Sequence, residues 1–438
     1  MEDSPRPDQG AVLRHGPSPA PQPRPPHPHP RPEGAGAAAQ PTLARRLARV
    51  PVAATVAMTI KARAMRDAGI QVIALTIGEP DFASPPHAIE AAHQAALAGD
   101  TKYPPQDGQP ALKRAIQRKF QRDSGLGFAL DQITVGNGGK GVIFNALMAT
   151  VDEGDEVLIP APYWGAYPLM TRVVGGEPVI VTCPQNNGFK LRPEDLDAAI
   201  TPRTKWLILN SPNNPTGAAV SVDELAALGE VMLRHPHVWI MSDDMYEHLV
   251  FDGAHATIAA VEPRLRDRTL TVSGVSKTYA MTGWRVGFAG GPRALVKAMV
   301  NMQGQVAAGV STIGQAAAAA ALDGPQDAVP DMVAAYRRRR DLVVDALNTA
   351  PGMFCHRPEG AFYVYPSVAG CLGKTTPAGV RLQTDEDFAR ALLEEQHVAL
   401  VQGAAFGMSP HVRISYATDD ASLAEACRRI VAFCTNLR

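Results

Sequence analysis

The sequence of 438 residues lacks the features that mark several common classes of protein. It contains no apolar run of about 18 residues, the length that a membrane span needs, and no apolar segment near its N-terminus that would form a signal peptide. Its 42 basic and 43 acidic residues leave a net charge of −1, so a nucleic-acid-binding role has no electrostatic support. We therefore expect a cytoplasmic protein that binds neither membranes nor nucleic acid.

Cysteine is also scarce. The five cysteines are scattered along the chain, and none forms a Cys-x-x-Cys pair. This spacing predicts neither a disulfide framework nor a zinc site. Reduced thiols and no bound metal are therefore expected.

The first 42 residues are rich in proline, arginine, histidine, glycine and alanine. Such a composition buries too little apolar surface to offset the entropy cost of ordering, which predicts a disordered tail. A PxxP ligand or a His-Pro metal tract are the functional alternatives. The rest of the chain is long enough for two domains. We expect the N-terminal segment of a small domain at 43–75, a large domain at 76–325 and the remainder of the small domain at 326–438.

Short apolar runs typical of buried strands recur through the large domain, with helical patterns between most of them. They lie at 133–135, 156–159, 178–182, 206–210, 238–242, 269–272 and 286–289. This alternation predicts an α/β fold with a largely parallel sheet and functional loops at one edge. Farther along, strand-like runs at 360–365, 398–401 and 412–415 alternate with helices at 337–347, 385–396 and 421–434, which predicts a smaller α+β domain.

A glycine turn, Gly136–Lys140, separates the strand at 133–135 from a helix predicted at 142–151. Backbone N–H groups and a helix N-terminus that point the same way can bind an anion. The turn matches neither Gly-x-Gly-x-x-Gly nor a Walker loop, so a dinucleotide or nucleoside triphosphate is not favoured. Alone, such a turn is more often a plain connection than an anion site.

Lys277 follows the strand at 269–272, and Arg285 comes eight residues later. A lysine amine can form a Schiff base with a carbonyl cofactor, and an arginine guanidinium can bind a phosphate with paired hydrogen bonds. The pair therefore suits a carbonyl cofactor that carries a phosphate. The alternative is a surface lysine and arginine on either side of a turn.

The segment from Ser276 to Arg285, Ser-Lys-Thr-Tyr-Ala-Met-Thr-Gly-Trp-Arg, resembles the cofactor-lysine segment of class I aminotransferases, which use pyridoxal 5′-phosphate. The similarity runs from about Arg45 to the C-terminus, nearest to the bacterial aspartate/prephenate aminotransferase branch. It implies a fold-type I PLP-transferase, with a seven-stranded, mostly parallel sheet in a PLP-binding large domain. The implied reaction moves an amino group from an L-amino acid to a 2-oxo acid by a ping-pong mechanism through a Lys277 Schiff base. A PLP-dependent lyase or synthase acting at Cβ or Cγ is the alternative on the same fold.

The resemblance assigns three catalytic side chains. Lys277 is the amine that can also move the substrate's α-proton. Asp243, at the end of the strand 238–242, pairs with the ring nitrogen and keeps the ring an electron sink, and Tyr246 binds the ring 3-oxygen. Asp244 is the competing carboxylate, and as an alternative it caps a helix.

Further contacts follow from the same resemblance. The backbone of Gly139 and Lys140, with Arg285 and Ser276, would bind the phosphate, although Gly274 stands where the family often has a hydroxyl residue. Trp164 would stack on the ring and Asn214 would bind the 3-oxygen. Tyr103 would reach the phosphate of a neighbouring subunit, which implies a homodimer with shared active sites.

The predicted substrate-binding residues are Gly78, Trp164, Asn214 and Arg413, with Arg413 on the α-carboxylate. The chain departs from the aspartate/prephenate branch elsewhere. Pro51 stands where that branch has a lysine, Ala307 and Ala308 where it has hydroxyl residues, and Ile77 where it has a small residue. Without a second cation, a distal carboxylate would be disfavoured. The sequence therefore predicts a preference for neutral or aromatic amino donors over aspartate.

Overall fold

The computed structural model describes residues 42–50 and 54–438. The predicted tail, apart from Thr42, and the Pro51 position lie outside the described residues. Residues 44–438 form a single structural unit. No helix in the described part of the chain is both long enough and apolar enough to cross a membrane.

Two sets of elements build the fold. The helices are α1 Ala54–Asp67, α2 Pro86–Leu97, α3 Pro110–Ser124, α4 Gly138–Thr150, α5 Ala166–Val174, α6 Pro193–Ala199, α7 Val222–Arg234, α8 Ile258–Val261, α9 Arg293–Val306, α10 Thr312–Asp323, α11 Ala328–Leu347, α12 Asp385–Gln396 and α13 Asp420–Thr435. The strands are β1 Ile73–Ala74, β2 Ile133–Asn137, β3 Glu156–Ala161, β4 Glu177–Thr182, β5 Thr204–Asn210, β6 Trp239–Asp243, β7 Thr269–Gly274, β8 Val286–Gly290, β9 Tyr363–Val364, β10 Val398–Ala399, β11 Val401–Gln402 and β12 Val412–Ser415.

The large sheet has seven strands in the order β2-β8-β7-β6-β5-β3-β4. Only β8 runs antiparallel to its neighbours, so the predicted mostly parallel sheet is confirmed. Every residue of β7 and β8 is buried, as expected when helices cover both faces of a sheet. The carboxyl ends of parallel strands meet at one edge, and the loops after β5, β6 and β7 therefore start close together.

Two smaller sheets lie outside the large one. Strands β11, β12 and β9 form an antiparallel sheet, and β1 pairs in parallel with β10. The pairing of Ile73 with Val398 joins the early segment of the chain to its C-terminal region. It agrees with the expected small domain, whose boundaries at 75 and 325 stay predictions.

Several predicted boundaries were wrong. The helix predicted at 142–151 begins at Gly138, so Gly139 and Lys140 lie in its first turn instead of in a preceding loop. The helix predicted at 337–347 begins at Ala328, because a proline such as Pro330 fits the first turn, where its missing N–H costs nothing. The strand predicted at 360–365 is reduced to Tyr363–Val364.

Candidate active site

A cavity of about 610 Å³ opens at the carboxyl edge of the large sheet. The parallel strands bring to it Asp243 from the end of β6 and Asn214 and Lys277 from the loops after β5 and β7. Except for Tyr103, every residue that the sequence assigned to the site lines this cavity: Gly78, Gly139, Lys140, Trp164, Asn214, Asp243, Tyr246, Ser276, Lys277, Arg285 and Arg413. Tyr103 is 92% exposed and lies apart from it.

Lys277 lies half-buried in the cavity, three residues beyond the end of β7. Its Nζ donates a hydrogen bond to the backbone oxygen of Gly78. Burial lowers the pKa of the Lys277 amine to about 8, because the charged form loses hydration. About a tenth of this amine is therefore neutral and nucleophilic at pH 7, far more than for an ordinary lysine.

Asp243 is the buried carboxylate of the cavity. Its Oδ2 accepts a 2.5 Å hydrogen bond from the Tyr167 hydroxyl, and its Oδ1 accepts one from the Met245 N–H. Burial raises the pKa of Asp243 to about 6, against the opposing effect of the Tyr167 bond. The group is mostly ionised at pH 7 and able to accept a proton shared with a ring nitrogen.

The neighbouring Asp244 faces the other way. Its Oδ1 accepts a 2.7 Å hydrogen bond from Ser242 Oγ, and its Oδ2 lies 3.6 Å from the His255 imidazole. Asp244 does not line the main cavity. Of the two adjacent carboxylates, only Asp243, the one assigned by the resemblance, lines the cavity.

Tyr246 and Tyr363 form a hydroxyl pair on the cavity wall, 2.8 Å apart. The backbone of Gly78 packs directly against Tyr363: a Cβ at residue 78 would lie 1.9 Å from the Tyr363 hydroxyl oxygen. Only glycine fits there, and the close approach leaves the residue 78 backbone open to the cavity.

The first turn of α4 meets Arg285 at one end of the cavity. A Cβ on Gly138 would lie 2.5 Å from Arg285 Nη2, so glycine permits this contact. Arg285 has a φ of 56°, a left-handed conformation that costs a non-glycine residue about 1–2 kcal/mol. Unpaired N–H groups at the start of α4, the guanidinium and the buried Ser276 hydroxyl together make an anion-binding corner.

Arg413 projects into the cavity from β12, and its side chain is buried. Its Nη1 donates to Asn214 Oδ1 at 3.1 Å, and its Nη2 donates to the Thr76 carbonyl. Within the described residues its buried Nε has no hydrogen-bond partner, and no carboxylate forms an ion pair with the guanidinium. A buried cation with a spare donor suits an incoming carboxylate.

The side chain of Lys140 also lines the cavity, whereas the sequence predicted a role only for its backbone. Its Nζ lies 5.1 Å from the centre of the Trp164 ring, within the range of a cation–π contact. Burial, and then the charge of Arg285, lower the pKa of Lys140. The cavity therefore holds an additional cation that was not expected from the sequence.

Part of the cavity mouth is aliphatic. This part is formed by Val56 and Ile60 of α1 together with Ile77, and each of these side chains is about half exposed. Exposed charged residues, among them Glu79, line the same cavity. Ala307 and Ala308, where hydroxyl residues were expected, do not line the cavity in the described chain.

The polar residues of the site that sequence reasoning missed include Tyr167, Asn210 and Tyr363. Asn210 bridges two predicted residues, since its Nδ2 donates to the Asp243 carbonyl and its Oδ1 accepts from the Asn214 N–H. Tyr167 and Tyr363 reach their partners across distant parts of the chain. The position of Asn210 at the end of a predicted strand was the one available signal.

A family model described as "Aminotransferase class I and II" matches residues 70–430. The chain belongs to this family. The predicted aminotransferase, whose substrates are an amino acid and a 2-oxo acid, is thereby confirmed at the level of reaction class. The alternative of a lyase or synthase is not favoured.

Close relatives of this aminotransferase cover almost the same span. An aspartate/prephenate aminotransferase of Cereibacter sphaeroides is 57% identical over 396 residues, which make up 90% of this chain and 99% of that protein. The crystal structure of an aspartate aminotransferase from Rhizobium meliloti matches with a TM-score of 0.89 at 52% identity, over 91% of this chain and all of that one. An aspartate aminotransferase of Thermus thermophilus, solved with maleate, matches with a TM-score of 0.84 at 40% identity, over 90% of this chain and all of that one.

Members of this aminotransferase family use pyridoxal phosphate, and the cavity fits that group. Lys277 offers an amine with a lowered pKa, and Asp243 offers a buried carboxylate. The glycines at the start of α4 leave an anion-binding corner that a Cβ on Gly138 would partly fill. The donor set therefore matches an aldehyde, a ring nitrogen and a phosphate.

Proposed function

We propose that this aminotransferase takes its amino group from aspartate, with Arg413 binding the α-carboxylate and Lys140 the second carboxylate. The observation that carries the proposal is that Lys140, an exposed residue, lines the cavity with its ammonium 5.1 Å from the Trp164 ring. A second carboxylate requires a second cation. Lys140 supplies it without any arginine from the region around residue 300.

The site residues act on a bound cofactor as follows. Pyridoxal phosphate, when bound, supplies a carbonyl carbon that takes up the amino group and a ring that withdraws electrons. Asp243 would hold the proton on the ring nitrogen, and the start of α4 with Arg285 and Ser276 would bind the phosphate. Tyr246 and Asn214 would orient the ring through its 3-oxygen, and Trp164 would cover one face.

Lys277 would hold and move the substrate's α-proton at Nζ. Its lowered pKa, about 8, places the amine near the value at which a group can both accept and release a proton at working pH. The Gly78 carbonyl accepts a hydrogen bond from this free Nζ. Arg413 would turn the α-carbon toward this amine by binding the carboxylate next to it.

The relatives support a dicarboxylic donor. Those compared above carry the names aspartate or aspartate/prephenate aminotransferase, and the Thermus enzyme was solved with maleate, a dicarboxylate. For this chain the support from its own residues is the arrangement of two cations, Arg413 and Lys140, in one cavity.

A neutral or aromatic donor is the second candidate, and the aliphatic mouth favours it. Val56, Ile60 and Ile77 would gain roughly 25 cal/mol per Å² by contact with an apolar substrate. The sequence predicted this candidate on the condition that the pocket has no cation other than Arg413. Lys140 is such a cation, so aspartate is our first choice.

A donor-by-acceptor screen of the purified enzyme tests the proposal. With 2-oxoglutarate as acceptor, we expect kcat/KM for aspartate to exceed the values for leucine, methionine and phenylalanine. If kcat/KM is higher for phenylalanine or leucine than for aspartate, the second candidate is correct and Lys140 has another role. Equal values for all donors would contradict both.

We also propose a cytoplasmic homodimer with shared active sites. Tyr103 is 92% exposed and does not line its own cavity, as expected of a side chain that serves a neighbouring subunit. Mixing an inactive Tyr103→Phe variant with an inactive Lys277→Ala variant should restore activity if subunits exchange. A protein that is monomeric by light scattering and fully active would contradict the proposal.

A further inference from the structure

The short segment from Asp243 to Glu247 presents side chains to two different surroundings. Asp243 and Tyr246 line the cavity. Asp244 and Glu247 point instead into a buried polar cluster behind it. Asp243 and Tyr246, which we call the floor of the active site, are therefore adjacent in sequence to residues that do not contact the substrate or cofactor.

Glu247 is the centre of the buried cluster. Its Oε2 accepts a hydrogen bond from the Nζ of Lys119 in α3, and the side chains of Glu247 and Lys119 are 4% and 2% exposed. Its Oε1 accepts a 2.5 Å hydrogen bond from the hydroxyl of Ser273 in β7. Burial opposes ionisation of Glu247, but the nearby cations outweigh it and lower its pKa.

The bond from Ser273 to Glu247 joins the two chain segments that carry the catalytic side chains. Ser273 precedes Lys277 by four residues, and Glu247 directly follows Tyr246. In the cavity, Lys277 Nζ lies 6.0 Å from the centre of the Tyr246 ring. A shift of one segment against the other would change this distance directly.

We propose that Ser273 and Glu247 are positioning residues: their hydrogen bond, with Glu247 held in place by Lys119, fixes Tyr246 relative to Lys277. Neither side chain lines the cavity, so they act through the residues that do. The proposal rests on the proposed roles of Lys277 and Tyr246.

Two other interpretations of the cluster are weaker. Asp123, Glu247 and His248 offer metal-ligand atoms within 4.8 Å of one another, but the Lys119 ammonium already contacts Glu247 and lies 3.6 Å from Asp123. A buried ion pair is also weak evidence for stability, because its desolvation cost can exceed the Coulombic gain. Fixing a unique arrangement of two segments is the better-supported use of such a pair.

The test compares Ser273→Ala with Asp123→Asn in the PLP-loaded enzyme. Ser273→Ala removes the link and leaves the Lys119–Glu247 pair. Asp123→Asn changes the charge of the same cluster but leaves the Ser273–Glu247 hydrogen bond in place; Asp123 Oδ2 contacts His248 instead, at 3.2 Å. Four quantities are measured: kcat, KM, the pH midpoint of the cofactor's absorption change, and the melting temperature.

For Ser273→Ala we expect kcat to fall on the order of ten- to a hundredfold, as small misplacements of catalytic groups do, with KM within about twofold of the parent value. The absorption midpoint should move by about half a pH unit or more as the surroundings of Lys277 change. Asp123→Asn should leave kcat and the midpoint unchanged, whatever its melting temperature.

Two results would overturn the inference. One is a Ser273→Ala enzyme with the parent's kcat and midpoint, whether or not its melting temperature falls. The other is an Asp123→Asn enzyme that shifts both quantities as much as Ser273→Ala, since cluster charge would then explain the effect. Failure of the roles proposed for Lys277 and Tyr246 would be visible separately, as normal turnover of Lys277→Ala and Tyr246→Phe.

Discussion

The floor and the mouth of the cavity differ in almost every physical respect. At the floor, Asp243 and Tyr246 are each 4% exposed, and strand ends and hydrogen bonds to distant residues hold them. At the mouth, Val56, Ile60 and Ile77 are 48%, 61% and 48% exposed, and their side chains are aliphatic. The floor contains ionisable groups with shifted pKa values, such as Asp243. The three aliphatic side chains at the mouth are uncharged.

The difference separates two functions of one cavity. Burial at the floor changes the protonation of Lys277 and Asp243, and perturbed groups in a cleft are typical of catalytic sites. The mouth can only select among substrates by contact area and by the reach of Lys140 behind it. Changes at the floor should therefore affect turnover of every donor, and changes at the mouth should affect the choice among donors.

The largest expected effect is at the floor. Asp243→Asn should retain cofactor binding but lower kcat for every donor on the order of 10² to 10³-fold, because the charge that stabilises the ring proton is lost. Asp244→Asn is the matched control, since it makes the same change one residue away and outside the cavity. Steady-state kinetics of both variants test this prediction. A large loss of kcat in Asp244→Asn, with a nearly normal kcat in Asp243→Asn, would reverse the assignment.

Lys140→Met should lower kcat/KM for aspartate about ten- to a hundredfold, because a charged hydrogen-bond partner of the second carboxylate is removed. Leucine and phenylalanine, which lack that carboxylate, should be unaffected or improved. Lys297→Met, an exposed lysine outside the cavity, is the control. An equal loss for all donors would place Lys140 with the floor, as a cofactor contact alone.

The pH dependence of cofactor uptake should report the lowered pKa of Lys277. Protonated lysine is not nucleophilic, so uptake of PLP by the cofactor-free protein should slow about tenfold per unit as pH falls well below the pKa. We expect the midpoint of the rate near pH 8, since burial lowers the pKa of Lys277 to about 8. Stopped-flow absorbance measures this rate; a midpoint near the ordinary value of 10.5 would show that burial does not activate the amine.

The smallest expected effect is at the mouth. Ile77→Ala should lower kcat/KM for phenylalanine roughly three- to tenfold, which corresponds to a few tens of Å² of apolar contact at about 25 cal/mol per Å². Aspartate should be unaffected. Ile89→Ala, equally exposed at 48% but outside the cavity, is the control. If kcat/KM for aspartate falls as much as that for phenylalanine, residue 77 affects the floor, and the proposed separation of function between floor and mouth is wrong.

The sequence predicted the floor better than the mouth, for a physical reason. Parallel strands place their carboxyl ends at one edge, so residues that follow neighbouring strands were expected to lie together, and the resemblance selected Asn214, Asp243 and Lys277 among them. Side-chain directions are not fixed by that order. The competition between Asp243 and Asp244 was resolved only by the contacts of Asp244 with Ser242 and His255.

Lys140 shows the limit most clearly. Its place in the Gly-Gly-Lys turn predicted a backbone contact, and the structure adds a side chain directed over Trp164, which is 24 residues away in sequence. Tyr167 and Tyr363 were missed for the same reason, because their partners Asp243 and Tyr246 are distant along the chain. Such contacts depend on tertiary packing that local patterns do not contain.

The central claim is that Lys277, at the floor, carries the covalent bond to the cofactor. Borohydride reduction of the PLP-loaded enzyme, followed by peptide mapping, tests it directly because reduction makes that bond permanent. We expect the label on Lys277 alone, and none after Lys277→Ala. A label on Lys140, the other lysine that lines the cavity, would contradict the account of both the floor and the substrate pocket.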